Sequence, residues 1–417
     1  MCASIHEQII NFCLDYDFDI RKSHNGRWLD QKCTPDVLSI IADCVNHFVS
    51  KSSNSEFTTK DIWLYPYSTE SIEFLFKKPN AQSQLAKNEY DKFFQQPMEL
   101  LAYANVLNKS KIAGRNVYSI NNGAVLEFIA QSEKNALFFL KVYIEKVLKD
   151  SGIFYVFDNF LTAQDQFTFK IVKEAFANLL ISNTKINGVT ECNRIFTKVL
   201  NPLAYFYNSC GTERGQKSSQ VITYDKLMYN RFNFRDLYAD KPKGITRKQY
   251  AIECPINLDS KYLQYQSNRA KDALKKYNKA FRNGITEHEE EGQMNDPATM
   301  AHHIFPDKLY PEICSYIENL IVLTPTQHLA KAHPNNDTHK IDEEYQRLLL
   351  ISKAKRICEN LSDPNVEHIY DFDNFLFVLK VGFEYDDMPN IAYLDFKALE
   401  DFINAHYEKL SKLKVPK

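Results

Sequence analysis

The amino-acid sequence predicts an α+β, multi-domain protein in which largely helical regions flank one short strand, loop, strand and helix unit. Three observations lead there. The 417 residues exceed what one core usually holds, since single cores stop growing near ~250–300 residues. The middle of the chain repeats apolar residues at three- and four-residue spacing, the helical period. Around residues 300–333 that period gives way to short strand-like runs and then returns behind a capping signal. Charged residues at 25% and apolar residues at 44% are ordinary globular values, so the chain can bury real cores.

The first region, residues 1–153, reads as an α+β domain. Its opening, "MCASIHEQIINFCLDYDFDI", has no basic n-region and carries Glu7, Asp15, Asp17 and Asp19, against a secretory signal. No apolar run approaches the ~18 residues of a membrane span. An intracellular protein with no membrane partner is expected. The nine cysteines are scattered, odd in number and never in a C-x-x-C pair, which supports neither a disulfide framework nor a thiolate zinc cage. "PDVLSIIADCVNHFV" is helical from Pro35, a residue suited to a first turn. "MELLAYANVLN" reads as another helix. "NVYSINNGAVLEFIA" then shows two strand-like runs around Asn121, Asn122 and Gly123, and the Asn-Gly pair predicts a hairpin near 116–130. A helix followed by a hairpin is a candidate DNA-recognition element, with a purely structural hairpin as the alternative.

Residues 154–290 read as helical and then basic. "NALFFLKVYIEKVL", just before, and "QFTFKIVKEAFANLLI" and "CNRIFTKVLNPLAYFY" within it carry the helical period. "GTERGQKSS" breaks the period with two glycines, small hydroxyls, Arg214, Lys217 and Ser218. A flexible, cationic, donor-rich loop of this kind suits phosphate or base-edge contacts. The formal net charge of −2 conceals an asymmetry: from Arg214 to Arg282 there are 16 Lys or Arg against 6 Asp or Glu, or 16 − 6 = +10. Local positive charge on an otherwise acidic chain is what polyanion binding requires. Arg247 and Lys248 lie within it, and from Lys261 a run with Arg269, Lys275 and Lys276, interleaved with Tyr262, Tyr265, Tyr277 and Phe281, predicts a DNA-facing helix. "EHEEEGQMNDP" follows as an acidic linker with His288 at its solvated surface.

Five of the eleven histidines then fall between His302 and His339. "MAHHIF" is a strand end broken by Pro306, and "NLIVLTP" is a second strand from Asn319. Thr324 can cap a helix, Pro325 fits its first position, and "TQHLAKAH" continues it to Pro334. A phosphodiester substrate gives each polar residue a task. Imidazole is a common ligand for a divalent ion that neutralises developing phosphoryl charge. Histidine is also a general base near neutral pH, and an Asn carbonyl can accept the other ring proton. Adjacent strand residues point to opposite faces, so His302 and His303 are expected to divide these tasks.

The order "AHHIFP", "ENLIVLTPTQH" and "AHP" resembles the HNH family of ββα-metal nucleases, over residues 301–336 only. The resemblance implies a nuclease core at 291–345, followed by a C-terminal helical region at 346–417. It makes His302 and His328 metal ligands, His303 the general base, and Asn319 the residue supporting hairpin and base. Many members add a ligand four residues after the helix histidine. Here that position is Ala332, and His333, at five, is expected to ligate only if the helix ends or distorts before it. The implied cofactor is a divalent ion, Mg²⁺ first, with Mn²⁺ or another divalent ion as alternatives. The two C-x-x-C pairs of the family's zinc-ribbon variants are absent from the sequence, as is any G-x-x-x-x-G-K-[ST] loop for ATP. The sum resembles a prokaryotic type II restriction endonuclease, acting on double-stranded DNA as a homodimer at least on DNA and leaving 5′-phosphate and 3′-hydroxyl ends. A homing or weakly specific HNH nuclease, and a non-catalytic DNA-binding protein that keeps the unit, are the alternatives.

Overall fold

Local capping and turn chemistry sets most element boundaries in the computed structural model. It describes residues 5–52, 54–76, 87–229, 242, 244–246, 249–250, 252, 260–289, 297–332, 342–385 and 388–414. The architecture is mixed α and β and mostly helical, as expected for an α+β chain. The chain divides into two compact units, one of Ile9–Asn233 and one of Met1–Gln8 with Phe234–Lys417. The division falls inside the region 154–290 that the sequence had suggested as one. The +10 stretch is therefore shared between units: Arg214 and Lys217 belong to the first, the basic helix to the second.

In the Ile9–Asn233 unit the helix Pro35–Lys51 has Pro35 in its first turn, and every residue from Pro35 to Val45 is buried. A helix buried on all sides is the centre of a core. It packs against the helices Gly123–Gln131 and Glu133–Asp150. The helices Phe154–Ala163, Gln166–Asn183 and Val189–Phe206 follow where the spacing predicts them. Asp165 caps the second of these by accepting from the Thr168 N–H. Three strands, β1 (Glu56–Phe57), β2 (Leu107–Ile112) and β3 (Arg115–Ile120), form an antiparallel sheet in the order β1-β3-β2.

Two expectations in this unit are corrected. The hairpin near 116–130 lies one element earlier: β2 and β3 turn at Ala113 and Gly114, whose φ values are 47° and 79°. Asn122 instead accepts from the Val125 N–H and opens the helix Gly123–Gln131. The Asn-Gly pair is used as a helix cap, a role Asn fills as readily as a turn. The loop expected at 211–219 is a second hairpin, β4 (Cys210–Glu213) with β5 (Gln216–Val221), closed at Arg214 and Gly215 with φ of 51° and 79°. Successive left-handed residues match the right-handed twist of paired strands, so the loop closes into a ladder.

In the other unit β6 (Met300–His303) pairs antiparallel with β7 (Leu320–Leu323), His302 opposite Ile321 and His303 opposite Leu320. All four β7 residues are fully buried. They join one apolar core with Leu349 and Leu350 from Glu343–Ser362, Phe375 and Leu379 from Phe372–Gly382, and Leu399 and Ile403 from Phe396–Lys414. The helix Ser260–Phe281 lies against the hairpin, with Ala270 and Leu274 in the same apolar core as β7.

Candidate active site

The hairpin register and a helix cap bring two of the expected histidines together. Thr324 Oγ1 accepts from the Gln327 N–H at 3.1 Å, and Gln327 Oε1 accepts from the Thr324 N–H at 3.1 Å. This reciprocal pair is a capping box, and it starts the helix one turn before His328, whose N–H donates to the Thr324 carbonyl at 3.0 Å. The His302 and His328 rings meet with centroids 5.2 Å apart at an interplanar angle of 80°. Both are half-buried. Gln327–Ala332 winds as a π-helix, with backbone bonds from i to i+5. His333 itself lies outside the described residues.

His303, the last residue of β6, faces the 304–319 loop and the helix Ser260–Phe281. Its Nε2 lies 3.0 Å from the Cys314 carbonyl and 3.4 Å from Ser267 Oγ. A carbonyl only accepts, so Nε2 carries the proton and Nδ1 is the basic nitrogen of the neutral ring. Burial, reinforced by the Lys271 charge, pulls the ring down to about 4 against the opposing effect of Asp307. It is thus neutral near pH 7 and able to accept a proton. Nδ1 stands 3.9 Å from Asp307 Oδ2, longer than a direct hydrogen bond and a span that one water can bridge. Burial lowers the Lys271 ammonium in turn, with Asp307 opposing.

Asn319 is fully buried, and its amide is committed to the loop. Oδ1 accepts from the Phe305 N–H at 2.9 Å, and Nδ2 donates to the Phe305 and Ile313 carbonyls at 2.9 and 3.3 Å. The Asn carbonyl expected to orient the base thus bonds to Phe305, and the Cys314 carbonyl takes the His303 ring proton. The physical reason is local. Residues 304–319 bury backbone donors and acceptors that need partners, and a primary amide supplies both.

The sequence reading missed the wall behind β7. Glu287, in the segment expected to be a linker, is 1% exposed. Its backbone N–H donates to the Val322 carbonyl at 2.9 Å, and its carboxylate accepts from the Val322 N–H at 2.7 Å, from Lys353 Nζ at 3.0 Å and from Tyr370 OH at 2.7 Å. Burial lowers the Lys353 ammonium while Glu287 opposes it, and burial together with Glu287 raises Tyr370. His288, expected at the solvated surface, is buried, with Nδ1 at 2.7 Å from Ser352 Oγ and its ring edge-on to Tyr345. Thr286 Oγ1 donates to Gln327 Oε1 at 2.7 Å, tying this wall to the helix cap. These partners lie 35 to 83 residues away in sequence, and no local pattern marks them.

The residues expected to contact DNA divide sharply. Ser218 is buried, accepts from the Gly211 N–H at 2.9 Å and donates to the Gln220 carbonyl at 2.6 Å, so its hydroxyl is used inside the hairpin. Arg214 is exposed at the turn, and the half-buried Lys217 reaches the Ser218 carbonyl. On the helix Ser260–Phe281, Lys276 is exposed and Lys275 pairs with Asp272 at 3.1 Å. Arg269 is half-buried, and burial pulls it to about 10, still charged near pH 7. Tyr277, expected on the DNA-facing side, is core and accepts from Asn360. Arg247 and Lys248 lie outside the described residues.

Among the described residues, no group of three or more His, Cys, Asp or Glu is arranged to hold a metal ion. The His302 and His328 pair offers two imidazole donors on one side, which fits part of a coordination sphere. No helix among the described residues is long and apolar enough to cross a membrane. Comparison with family models, with curated proteins and with solved structures returns no match.

Proposed function

We propose that the protein is a metal-dependent DNA endonuclease of the ββα type, and within that class a type II restriction endonuclease. The observation that carries this reading is the hairpin-and-helix arrangement in which His302 meets His328 while the next residue, His303, has its tautomer fixed. A binding module has no need of a histidine held neutral with Nδ1 as its basic nitrogen. A divalent ion held by His302 and His328 would supply Lewis-acid stabilisation of charge on the phosphoryl oxygens. Imidazole donors suit Ni²⁺ or Zn²⁺ better than Mg²⁺ or Mn²⁺, which prefer oxygen and would depend on phosphate and water for most of their ligands.

The rest is the work of this chain's own side chains. The attacking water is held beside His303 Nδ1 and Asp307 Oδ2, which stand 3.9 Å apart and can both reach it from one side. Nδ1 takes its proton as oxygen attacks phosphorus, the P–O3′ bond breaks and the departing O3′ takes a proton from solvent water, leaving a 5′-phosphate and a 3′-hydroxyl, while the Cys314 carbonyl stabilises the imidazolium through Nε2–H until it returns its proton to solvent. Asn319 keeps the 304–319 loop, and with it Cys314 and Asp307, in place. Lys271 adds positive charge beside the phosphate. Cleavage of both strands needs two such sites, hence a dimer on DNA.

The test is incubation with plasmid DNA in Mg²⁺, Mn²⁺ or EDTA, beside His303→Ala. Discrete metal-dependent fragments that fall ~10²–10⁴-fold in the variant are expected, the usual range for losing a general base. A metal-dependent smear would replace the restriction reading with a weakly specific nuclease. Fragments that persist in His303→Ala would remove His303 from the chemistry.

A further inference from the structure

The Ile9–Asn233 unit contains a cleft of about 870 Å³ to which neither the hairpin site nor any DNA-contacting residue named above contributes. One wall is the helix Lys87–Tyr103, through Lys92, Gln95 and Gln96. The segments 24–32 and 185–194, with Lys109 of β2 and Asn116 of β3, form the others. Ile186 is the one apolar side chain among its described lining residues, and no Phe, Tyr or Trp is among them.

The cations are Arg27, Lys32, Lys92, Lys109, Lys185 and Arg194, against four carboxylates. Three of those carboxylates are engaged within the unit. Arg27 pairs with Asp30 at 2.6 Å and also with Glu191. Glu99 accepts from Lys109 at 2.5 Å, Asn116 at 3.0 Å and Tyr118 OH at 2.6 Å. The negative charge is thus spread over internal partners, and the cleft keeps a positive surplus with amides interleaved. Its walls are also fixed against each other. A Cβ on Gly26 would stand 2.6 Å from Thr184 Oγ1 and 2.7 Å from Ile186 Cδ1, so the two segments touch at a point where only glycine fits. His24 Nδ1 reaches the Asn183 carbonyl at 2.9 Å, and Gln96 Oε1 accepts from the Lys32 N–H at 2.9 Å.

Small-molecule pockets are mostly apolar, which this cleft is not. Protein–DNA interfaces are polar and cationic, with Arg and Lys on phosphates or guanine and Asn or Gln on adenine. Single strands are held by stacking successive bases on a series of aromatic rings, and the cleft's described lining supplies one imidazole, His24, which is tied to the Asn183 carbonyl, and no Phe, Tyr or Trp. We infer that this cleft binds double-stranded nucleic acid, holding one strand of a duplex by its phosphates and base edges while the bases stay stacked on each other. The inference gives the proposed nuclease a sequence-reading unit, and it can fail separately from cleavage.

The test is fluorescence-anisotropy binding of the full chain in EDTA, where no cut is made, to a labelled duplex, the matching single strand and a mononucleotide. The double variant Lys185→Glu with Arg194→Glu should weaken duplex binding at least about tenfold and reduce the slope of log K against log salt by roughly 2, one per phosphate contact. The melting temperature should not move, since both side chains are on the surface of the cleft. The milder Lys185→Gln with Arg194→Gln controls for charge reversal and should show the same order of preference at smaller size. Duplex binding unchanged in these variants overturns the inference. So does tighter binding of the single strand or of the mononucleotide. Binding lost with cleavage intact at high protein concentration would support the cleft; binding intact with no cleavage under any metal would count against the nuclease alone.

Discussion

The hairpins β4–β5 and β6–β7 both carry polar side chains that the sequence marks for chemistry, and they satisfy them in different ways. In β4–β5 the partners are close along the chain. Ser218 bonds to Gly211 and Gln220, and Thr212 exchanges both its backbone groups with the Asn201 side chain at 2.8 and 3.0 Å. Two backbone groups are held from farther off: Lys173 Nζ donates to the Gly215 carbonyl at 2.6 Å, and Gln164 Oε1 accepts from the Cys210 N–H at 3.0 Å. In β6–β7 the strands are separated by residues 304–319, and the support arrives from a distance: Asn319 for the loop, Glu287 with Lys353 and Tyr370 for the outer edge of β7. Of the histidines, His303 is used on this hairpin's own backbone, at the Cys314 carbonyl. His302 and His328 remain half-buried against each other. The Ser218 hydroxyl of β4–β5 is used within its own hairpin, whereas the His302 ring of β6–β7 meets His328 of the following helix.

Removing the distant brace should have the largest effect on stability. Lys353→Met leaves the Glu287 carboxylate buried without its cation, which costs about 3–5 kcal/mol when one partner of a buried pair is lost. Urea unfolding should show the midpoint fall. If the midpoint holds within error, β7 does not depend on this network. Asn319→Ala comes next. It strands the Phe305 N–H and the Phe305 and Ile313 carbonyls in the interior, for roughly 2–4 kcal/mol in total. Cleavage, if present, should fall with it, because Cys314 and Asp307 lie on the same loop.

Ser218→Ala should cost less, about 1–3 kcal/mol for one buried hydroxyl with two partners, and should leave duplex binding unchanged at temperatures where the variant is folded. Loss of DNA binding without a shift in melting temperature would return Ser218 to the interface and break the contrast between the hairpins.

The smallest expected effect is on pH dependence. His406 stacks on Phe383 at 3.8 Å and lies 3.0 Å from Tyr385 OH. Burial, with Lys409 adding to it, lowers the ring from 6.5 to about 4. The unfolded chain therefore binds this proton first, so the stabilisation is fully present above pH 6.5 and is lost as pH falls toward 4. Melting curves across that window should flatten in His406→Gln. Equal slopes in the variant and the native chain would assign the acid sensitivity to other groups.

Much of the backbone was legible because it rests on short-range chemistry. Pro35 in a first turn, Thr324 with Gln327 as a cap, and the strand runs at 300–303 and 320–323 are each determined within a few residues. The same short range misleads where one residue type serves two purposes, as with Asn122, which opens a helix where a turn was expected. Helical spacing also identified Ser260–Phe281 but not its faces: Tyr277 went to the core and Lys276 to solvent. Charge counting along the chain cannot register that Arg214 and Arg269 belong to separate units.

By itself, then, the sequence determined a mixed, mostly helical chain, the two short strands with their capped helix, and the neighbourhood of His302 and His328. Capping, turn and period-two signals need only neighbours in the chain. Only the tertiary structure decided which carbonyl fixes the His303 tautomer, which loop Asn319 braces, and that Glu287 is a buried anchor rather than linker. It alone assembled the polar cleft from segments between His24 and Arg194. A hydrogen-bond partner is chosen by proximity after folding, and proximity between residues far apart in sequence is set by how whole elements bury their apolar faces.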